Sequence, residues 1–456
     1  MPLKHTLIFL LVYVVAFSDV GAQQNTIQPG VREISISLSR MPDTVFVEKT
    51  RLRYNKRFAM SFHADDGLAD VFSVGFRFFT GINGPSTNYP GLFFTDGCGN
   101  DVSFKISSAL FSFSTYNKED MHRPGNNYNT VTWPQLDTMY RNGCGIYNHG
   151  FTSDAPTDHQ QILYSIRRNE SYIRRSLAST TKGGVKTRVL VNPNGLAEYS
   201  PVAFSLGYRY TFRMGAWKFM PENGMNVSAF TMWDKPLEIN RVLAETINVK
   251  QLADHLRARS INGANYWMPV FTHRIIEDYP LNAFLDDWNY IAKTYGKTGS
   301  DDIWMASEEE ILNYLLVRQR VELQHELKSN TLFIKLSGHL PPDLRFYPLT
   351  LLVHTPGASI TAVNISGGKS HTYGPTGSDK ILINLNWDGN MEPDLMEVAE
   401  QAVKYAERNG KAENALVAMD YVKALPDGRA KDALRRRLCS MRGFDFEPGF
   451  CIIPAR

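Results

Sequence analysis

Cysteine, net charge and long apolar runs are all scarce in this chain of 456 residues. The sequence has 4 cysteines and no Cys-x-x-Cys pair, which argues against a zinc site built on thiolates. A formal net charge of +3 is too small to indicate a nucleic-acid partner. Beyond the first residues, no run is long and apolar enough to predict a membrane span, so we expect no stable membrane insertion.

The start of the chain has the pattern of an export signal. A basic beginning is followed by the apolar run 7–17 and by the small residues of a cleavage pattern, which ends at Ala22. We therefore expect a signal peptide over residues 1–22 and a mature protein that is periplasmic or extracellular.

The cysteines leave two interpretations open. In an exported protein they permit two disulfides, and a bond between Cys439 and Cys451 would close a short loop. Free buried thiols are an equally good explanation of the four cysteines, Cys98, Cys144, Cys439 and Cys451.

Strand-like and helix-like segments alternate from about Phe58 to Val317, and polar residues gather where the strands end. This order predicts an α/β fold, a (β/α) barrel whose site lies at the carboxyl ends of the strands. We assign residues 23–320 to this barrel, with the alternating segment 31–47 as strands that lead into it. The Gly- and Asn-rich residues 80–130 are predicted to form an insertion near the site.

The sequence pattern changes after about Arg320, where the alternation of strand-like and helix-like segments ends. Short alternating segments separated by turn residues predict a small β-sandwich over residues 325–388. Apolar periodicity then predicts a helical C-terminal segment over residues 390–456.

Polar side chains at the predicted strand ends could meet at one barrel mouth. Their types suit hydrolysis at a divalent metal: carboxylate and imidazole bind the ion, a second carboxylate takes a proton from water, and a second imidazole protonates the leaving group. These residues are Asp65, Asp66, His149, Asp154 and His273.

Five motifs in order, SFHADDG, NHGFTSD, NPNG, MWDKP and VFTH, resemble the polysaccharide deacetylase family (NodB homology, carbohydrate esterase family 4) over residues 55 to 320. The resemblance implies a distorted (β/α) barrel that removes N- or O-acetyl groups from a sugar. It implies that Asp65 is the general base, that Asp66 and His149 are metal ligands, and that His273 is the general acid.

The sequence departs from the family pattern at two places. Ser153 stands where the second metal-binding histidine is expected, so Asp154 is the preferred third ligand, with His159 as the alternative. Val191 stands where the family has the arginine that orients the base. Arg188, three residues upstream, is a poor substitute for that arginine.

The resemblance also suggests residues that bind substrate, namely Asn192, Trp233 and Asp234. The expected cofactor is a divalent metal ion, Zn²⁺ or else Co²⁺ or Ni²⁺, and the expected partner is an acetylated poly- or oligosaccharide. Two alternatives stay open: a catalytically degenerate carbohydrate-binding protein on the same barrel, and a hydrolase of another C–N amide bond.

Overall fold

The computed structural model describes residues 32–82, 89–180, 184–214, 224–387, 395–441 and 443–452, so the predicted signal peptide lies outside the described residues. In chain order, the strands are β1 (Arg32–Leu38), β2 (Phe46–Lys49), β3 (Phe58–Ala64), β4 (Phe93–Thr95), β5 (Asp101–Ser103), β6 (Ser107–Leu110), β7 (Phe113–Ser114), β8 (Glu119–Asp120), β9 (Ile146–Asn148), β10 (Val189–Val191), β11 (Tyr210–Met214), β12 (Met225–Asn226), β13 (Leu237–Leu243), β14 (Tyr266–Thr272), β15 (Ile303–Met305), β16 (Val321–Lys328), β17 (Thr331–Gly338), β18 (Pro348–His354), β19 (Ile360–Ile365), β20 (Ser370–Gly377) and β21 (Lys380–Asn386). The helices are α1 (Arg77–Thr80), α2 (Trp133–Arg141), α3 (His159–Ser176), α4 (Tyr199–Ser205), α5 (Val249–Arg259), α6 (Leu281–Tyr295), α7 (Glu308–Arg320), α8 (Leu395–Asn409), α9 (Ala412–Ala424) and α10 (Arg429–Cys439), and a π-helical segment, Val71–Phe76, precedes α1.

Parallel strands close a barrel in the first part of the molecule. The order is β3, β6, β9, β10, β11, β13 and β14, and β14 returns to pair with β3 from Tyr266 opposite Phe58 to Thr272 opposite Ala64. Every pairing around this ring is parallel. The predicted (β/α) barrel is confirmed.

Strand β3 has two different faces because successive side chains on a strand alternate. Phe62 faces the surrounding helices, where its ring contacts Trp288 at 5.1 Å. Ser61 and His63 face the lumen, where Ser61 accepts a hydrogen bond from Trp267 (3.1 Å) and His63 contacts Glu308 (2.7 Å). A polar residue on the lumen side is therefore held inside the barrel and not exposed at its surface.

Two strands share one edge of β3. Strand β15 pairs with its first half, Phe58 to Met60, and β6 pairs with its end, His63 and Ala64. Helix α7 begins three residues after β15, and Ser307 is its N-cap, accepting a hydrogen bond from the Glu310 backbone (3.3 Å). The first turn of α7 therefore enters beside the lumen.

The second part of the molecule has two four-stranded antiparallel sheets, ordered β16-β17-β1-β19 and β2-β18-β21-β20. Strand β1 lies between β17 and β19, with Ile34 and Ile36 fully buried. The N-terminal strands, which the sequence placed with the barrel, thus pair within the predicted sandwich. The reason is a pairing of residues some 300 positions apart in the chain, such as Ile34 with Ile334, which local pattern does not report.

Helices α8 to α10 form a hydrophobic cluster of their own, and α9 packs on barrel helix α3. Asp420 of α9 is fully buried and pairs with Arg168 (3.0 Å) and Arg175 (2.8 Å) of α3. A disulfide joins Cys439 to Cys451, as one of the two interpretations predicted, whereas Cys98 and Cys144 are free. None of the described helices has the length and apolar character needed to cross a membrane.

The sequence analysis did not predict two of the barrel strands, β6 and β13. Strand β6 is four residues long and lies inside the segment interpreted as an insertion. Strand β13 carries Glu238 and Arg241 among its apolar residues, which breaks the strand pattern. Both strands matter for the site, since they contribute to the barrel wall beside it.

Candidate functional site

The carboxyl ends of the barrel strands bring four of the predicted residues to one mouth. Asp65 and Asp66 follow β3, His149 follows β9 and His273 follows β14. Both imidazoles are near enough to Asp65 that their charges help to lower its pKa. Nε2 of His149 lies 3.6 Å from Oδ1 of Asp66. This is the position where catalytic residues of (β/α) barrels gather.

Asp65 is buried, with only 1% of its surface exposed, and is paired with a cation. Nη1 of Arg241 lies 2.8 Å from Oδ1 and 2.7 Å from Oδ2 of the carboxylate. Burial raises the pKa of Asp65, but Arg241 together with the nearby imidazoles lowers it to about 2. Asp65 is therefore ionised at neutral pH, and the contacts with Arg241 fix the orientation of its carboxylate.

Arg241 is itself held from two sides inside the lumen. Its Nη1 lies 2.7 Å from Nε2 of His63, and its guanidinium carbon lies 3.7 Å from the ring centroid of Phe271. Nδ1 of His63 lies 2.7 Å from Oε1 of Glu308. This arginine comes from β13 and not from the segment at Val191 where the family pattern would have it.

Asp66 has a left-handed backbone conformation, which residues other than glycine rarely adopt. Its φ is +66°, and Gly67 follows with φ +64°. A Cβ at Gly67 would lie 2.7 Å from Cε1 of His122, so glycine is required there. Strain of this kind is concentrated at functional sites, and here the carboxylate of Asp66 lies 3.6 Å from Nε2 of His149. Burial and the neighbouring Asp65 charge raise the pKa of Asp66, against the effect of His149.

His149 is oriented as a metal ligand would be. Its Nδ1 lies 2.9 Å from the Val191 carbonyl oxygen, which can only accept, so the ring proton is on Nδ1. The lone pair of Nε2 then faces Asp66 Oδ1 at 3.6 Å. A backbone carbonyl that fixes the tautomer in this way is a usual partner of metal-binding histidines.

His273 lies in a second group at the same mouth. Glu245, Asp278 and His273 place their potential ligand atoms within 4.8 Å of one another, so this set could hold a metal ion. Glu245, 3.8 Å from Nδ1, raises the pKa of His273; burial opposes this effect, and the charges of Asp65 and Asp66 support it. The arrangement therefore favours a protonated imidazole, whereas a metal ligand must lose that proton.

The structure does not bring Asp154 together with Asp66 and His149. Its side chain is exposed and accepts a hydrogen bond from Thr115 (3.0 Å). Within the described part of the chain, the triad at His273 is the set of three possible ligands found in range of one another, and it does not contain Asp154. The alternative, His159, is exposed at the first position of α3.

The three predicted substrate-binding residues lie at two different ends of the barrel. Asn192 follows β10 at the mouth, but it is fully buried and donates hydrogen bonds to Leu196 O and Ser200 Oγ (both 2.9 Å). Trp233 and Asp234 precede β13, at the opposite end of the barrel, where Trp233 is buried and Asp234 pairs with Arg320 (2.7 Å). The surroundings of Trp233 and Asp234 are those of structural residues, whereas Oδ1 of Asn192 is buried without a hydrogen-bond partner among the described residues.

Sequence reasoning missed Arg241, Glu308 and Glu245. Arg241 had one signal, a lone cation inside an apolar strand-length segment, which suggests a buried partner. Glu308 gives no such signal, because the run Glu308–Glu310 after Ser307 is typical of the acidic first turn of a capped helix. Glu245 had no local signal, because its relation to His273 depends on the folded chain.

The fold and this mouth define a (β/α)-barrel protein with carboxylates and imidazoles at the strand ends. The family model described as "Putative polysaccharide deacetylase" matches residues 86–439, and the chain belongs to this family.

Solved structures with some likeness include two deacetylases. PplD of Streptococcus pyogenes, solved in complex with acetate, is 14% identical, with a TM-score of 0.27, and the match covers 40% of this chain and 62% of that protein. A probable polysaccharide deacetylase from Pseudomonas aeruginosa PAO1 is 12% identical, with a TM-score of 0.34, and the match covers 56% of this chain and 90% of that one. No protein of curated function matches the sequence.

Proposed function

We propose that this chain hydrolyses acetyl groups, on nitrogen or oxygen, from a carbohydrate. The observation that carries the proposal is the division of labour between adjacent carboxylates at the barrel mouth. Asp65 is buried, and its contact with Arg241 favours the ionised carboxylate. Asp66, in contrast, has Oδ1 3.6 Å from Nε2 of His149. A hydrolase with a metal ion needs both kinds of carboxylate.

A divalent cation fits Asp66 and His149, because the tautomer of His149 leaves Nε2 free to bind and Asp66 lies opposite it. Bound there, it would supply polarisation of the acetyl carbonyl and a more acidic water. Two protein ligands are fewer than the three that catalytic zinc sites usually have. Zn²⁺ remains our proposal for the ion, with Co²⁺ or Ni²⁺ as alternatives.

The proton transfers are assigned to residues of the chain. Asp65 takes a proton from the attacking water, and Arg241 keeps its carboxylate aimed and ionised. His273 gives a proton to the departing amine or alkoxide, and Glu245 keeps that proton available. The base and the acid stand on adjacent parallel strands, β3 and β14, so both can reach one acetyl group at the mouth.

A cleft lined by Phe151 and Asp154, in the segment that follows His149, is the proposed place of the sugar chain. Its volume is about 500 Å³, and it lies between the segments that follow β6 and β9 and the first turns of α3. The ring of Phe111 lies over His149 (6.3 Å), and two residues further along each segment Phe113 lies over Phe151 (5.2 Å). Asp154 lines this cleft, so we now propose that it binds sugar hydroxyls.

The alternative, a carbohydrate-binding protein without catalysis, is supported by one observation. The described residues bring two ligands, not three, to the Asp66 and His149 position. Such a protein would bind glycan in the same cleft without needing a metal ion.

Export is also proposed. The disulfide between Cys439 and Cys451 is typical of proteins that fold in oxidising compartments, which agrees with the expected signal peptide.

Zinc content tests the metal assignment. We expect stoichiometric Zn²⁺ in the purified protein after incubation with the ion, measured by mass spectrometry of metals. Asp66→Ala and His149→Ala should lose it, because each removes one of the two ligands. Asp278→Asn is the matched control, since it disrupts the triad at His273 and leaves the proposed pair intact. Loss of zinc in Asp278→Asn alone would place the ion at the triad and contradict the assignment.

A further inference from the structure

A continuous line of buried polar groups runs through the lumen to Asp65. Tyr147 donates a hydrogen bond to Oε2 of Glu308 (2.7 Å), and Oε1 of Glu308 contacts Nδ1 of His63 (2.7 Å). Nε2 of His63 contacts Nη1 of Arg241 (2.7 Å), which in turn contacts Asp65. All five side chains are almost completely buried.

The proton of His63 can be placed from these contacts. Arginine has donors only, so Nε2 of His63 must accept the hydrogen bond from Arg241. The ring proton is then on Nδ1, where it is donated to Glu308. Glu308 accepts from both His63 and Tyr147, and although burial raises its pKa, these donors lower it below the usual value. Glu308 is thus an ionised acceptor that selects one tautomer of His63.

We propose that Glu308 and His63 are positioning residues for the base Asp65, acting through Arg241. With the proton on Nδ1, His63 offers Arg241 an acceptor, and the guanidinium sits in one place between His63 and Asp65. With the proton on Nε2, two donors would face each other and Arg241 would be displaced from Asp65. This inference rests on the proposed function for the role of Asp65 as base.

The other two glutamates of the same helix turn have different partners. Glu309 faces Arg345 (3.2 Å) and Arg188 (3.5 Å), and Glu310 pairs with Arg53 (2.5 Å). Glu308 alone of these three glutamates enters the lumen, through the edge of β3 that β15 and β6 share. Glu309 therefore provides a matched control: a buried glutamate in the same turn, without a contact to His63.

The first experiment measures the tautomer directly, by nitrogen-15 NMR of protein labelled at histidine, with the His63 signal assigned by its loss in His63→Gln. We expect a proton on Nδ1 and none on Nε2 in the unsubstituted protein and in Glu309→Leu, and loss of this signature in Glu308→Leu. A protonated Nε2 in the unsubstituted protein would overturn the inference, even if Glu308→Leu does not fold. An unchanged signature in folded Glu308→Leu would overturn it too.

The second experiment separates positioning from packing. His63→Phe keeps the ring shape but removes both hydrogen bonds, whereas His63→Gln can still accept from Arg241 and donate to Glu308. We expect kcat to fall about 10- to 100-fold in His63→Phe with KM unchanged, as for other outer partners of a site, and to recover largely in His63→Gln. Equal kcat in the two variants would overturn the inference. The NMR result needs no turnover, so failure of the proposed activity is recognised separately.

Discussion

Asp65 and Asp66 are neighbours in sequence but meet different surroundings. Asp65 continues the lumen face of β3 and reaches Arg241, while the left-handed backbone at Asp66 directs that carboxylate toward His149. One pKa is lowered to about 2 and the other is raised, so one turn supplies two kinds of carboxylate. Glu245 raises the pKa of His273 at the same mouth, which favours the protonated imidazole.

The pH dependence of the reaction should report His273. Its pKa is raised mainly by Glu245, and it can donate a proton only below that pKa, so the rate should fall as pH rises through it. Glu245→Gln removes the negative charge and should move the alkaline limb of kcat/KM to lower pH by roughly one unit. Glu277→Gln, an exposed neighbour outside the pair, should leave the profile unchanged. An alkaline limb that stays in place in Glu245→Gln would remove His273 from the role of acid.

At the scale of elements, the site depends on two adjacent parallel strands that end together. Strands β6 and β9 pair through Ser108 and Ile146, and the segments beyond them stay joined, since Ser112 N donates to Phe151 O (3.1 Å). Helix α3 covers the far side through Tyr164 and Gln161. The resulting cleft has aromatic walls and a carboxylate at its edge, a combination that suits a sugar with apolar faces and hydroxyl rims.

Chain length of the substrate tests this cleft. Asp154→Asn should raise KM for acetylated oligosaccharides by up to about tenfold, because a hydrogen bond to a charged group contributes ~1.5 kcal/mol. KM for an acetylated monosaccharide should not change, since one ring occupies the mouth alone. Ser153→Ala, an exposed neighbour that does not line the cleft, is the control. An equal rise of KM for both substrates would show that Asp154 acts at the mouth itself.

At the scale of the whole molecule, the strands that precede the barrel in the sequence and the strands that follow it pair in the same two sheets. Strands β1 and β2 precede the first barrel strand, β3. After α7, the last helix of the barrel, the chain re-enters the sheet of β1 with strand β16. Arg53, between the two parts, pairs with Glu310 of α7 (2.5 Å) and contacts Asn386 of β21 (3.1 Å). The sheets and the barrel are therefore connected through buried contacts as well as through the chain.

Removal of residues 32–49 should unfold the sheets around residues 325–388. Strand β1 is a central strand, and without it β17 and β19 lose their shared partner and expose Ile334 and other buried residues. Limited proteolysis should then cut within 325–388 at protease levels that the longer protein survives. Continued resistance of that region would show that the sandwich folds without the N-terminal strands.

Much of the barrel followed from the sequence, because β3, β14 and the helices between them have clear periodicity and caps. Asp65, Asp66, His149 and His273 could be predicted to lie at one mouth because each belongs to a polar segment that directly follows a predicted strand. Arg241 and Glu245 were not found, since a lone charge in or after a strand gives no sign of its partner. The place of β1 was missed because its partners lie far along the chain.

Acetate release from an acetylated oligosaccharide tests the central claim most directly. The protein incubated with Zn²⁺ should release acetate, and Asp65→Asn should lower kcat by about 10²- to 10⁴-fold, the usual contribution of a general base, while it still binds the metal. Release at the same rate by Asp65→Asn would contradict the assignment of the base. No release by the unsubstituted, metal-loaded protein from N- or O-acetylated glycans would contradict the proposed activity and favour the carbohydrate-binding alternative.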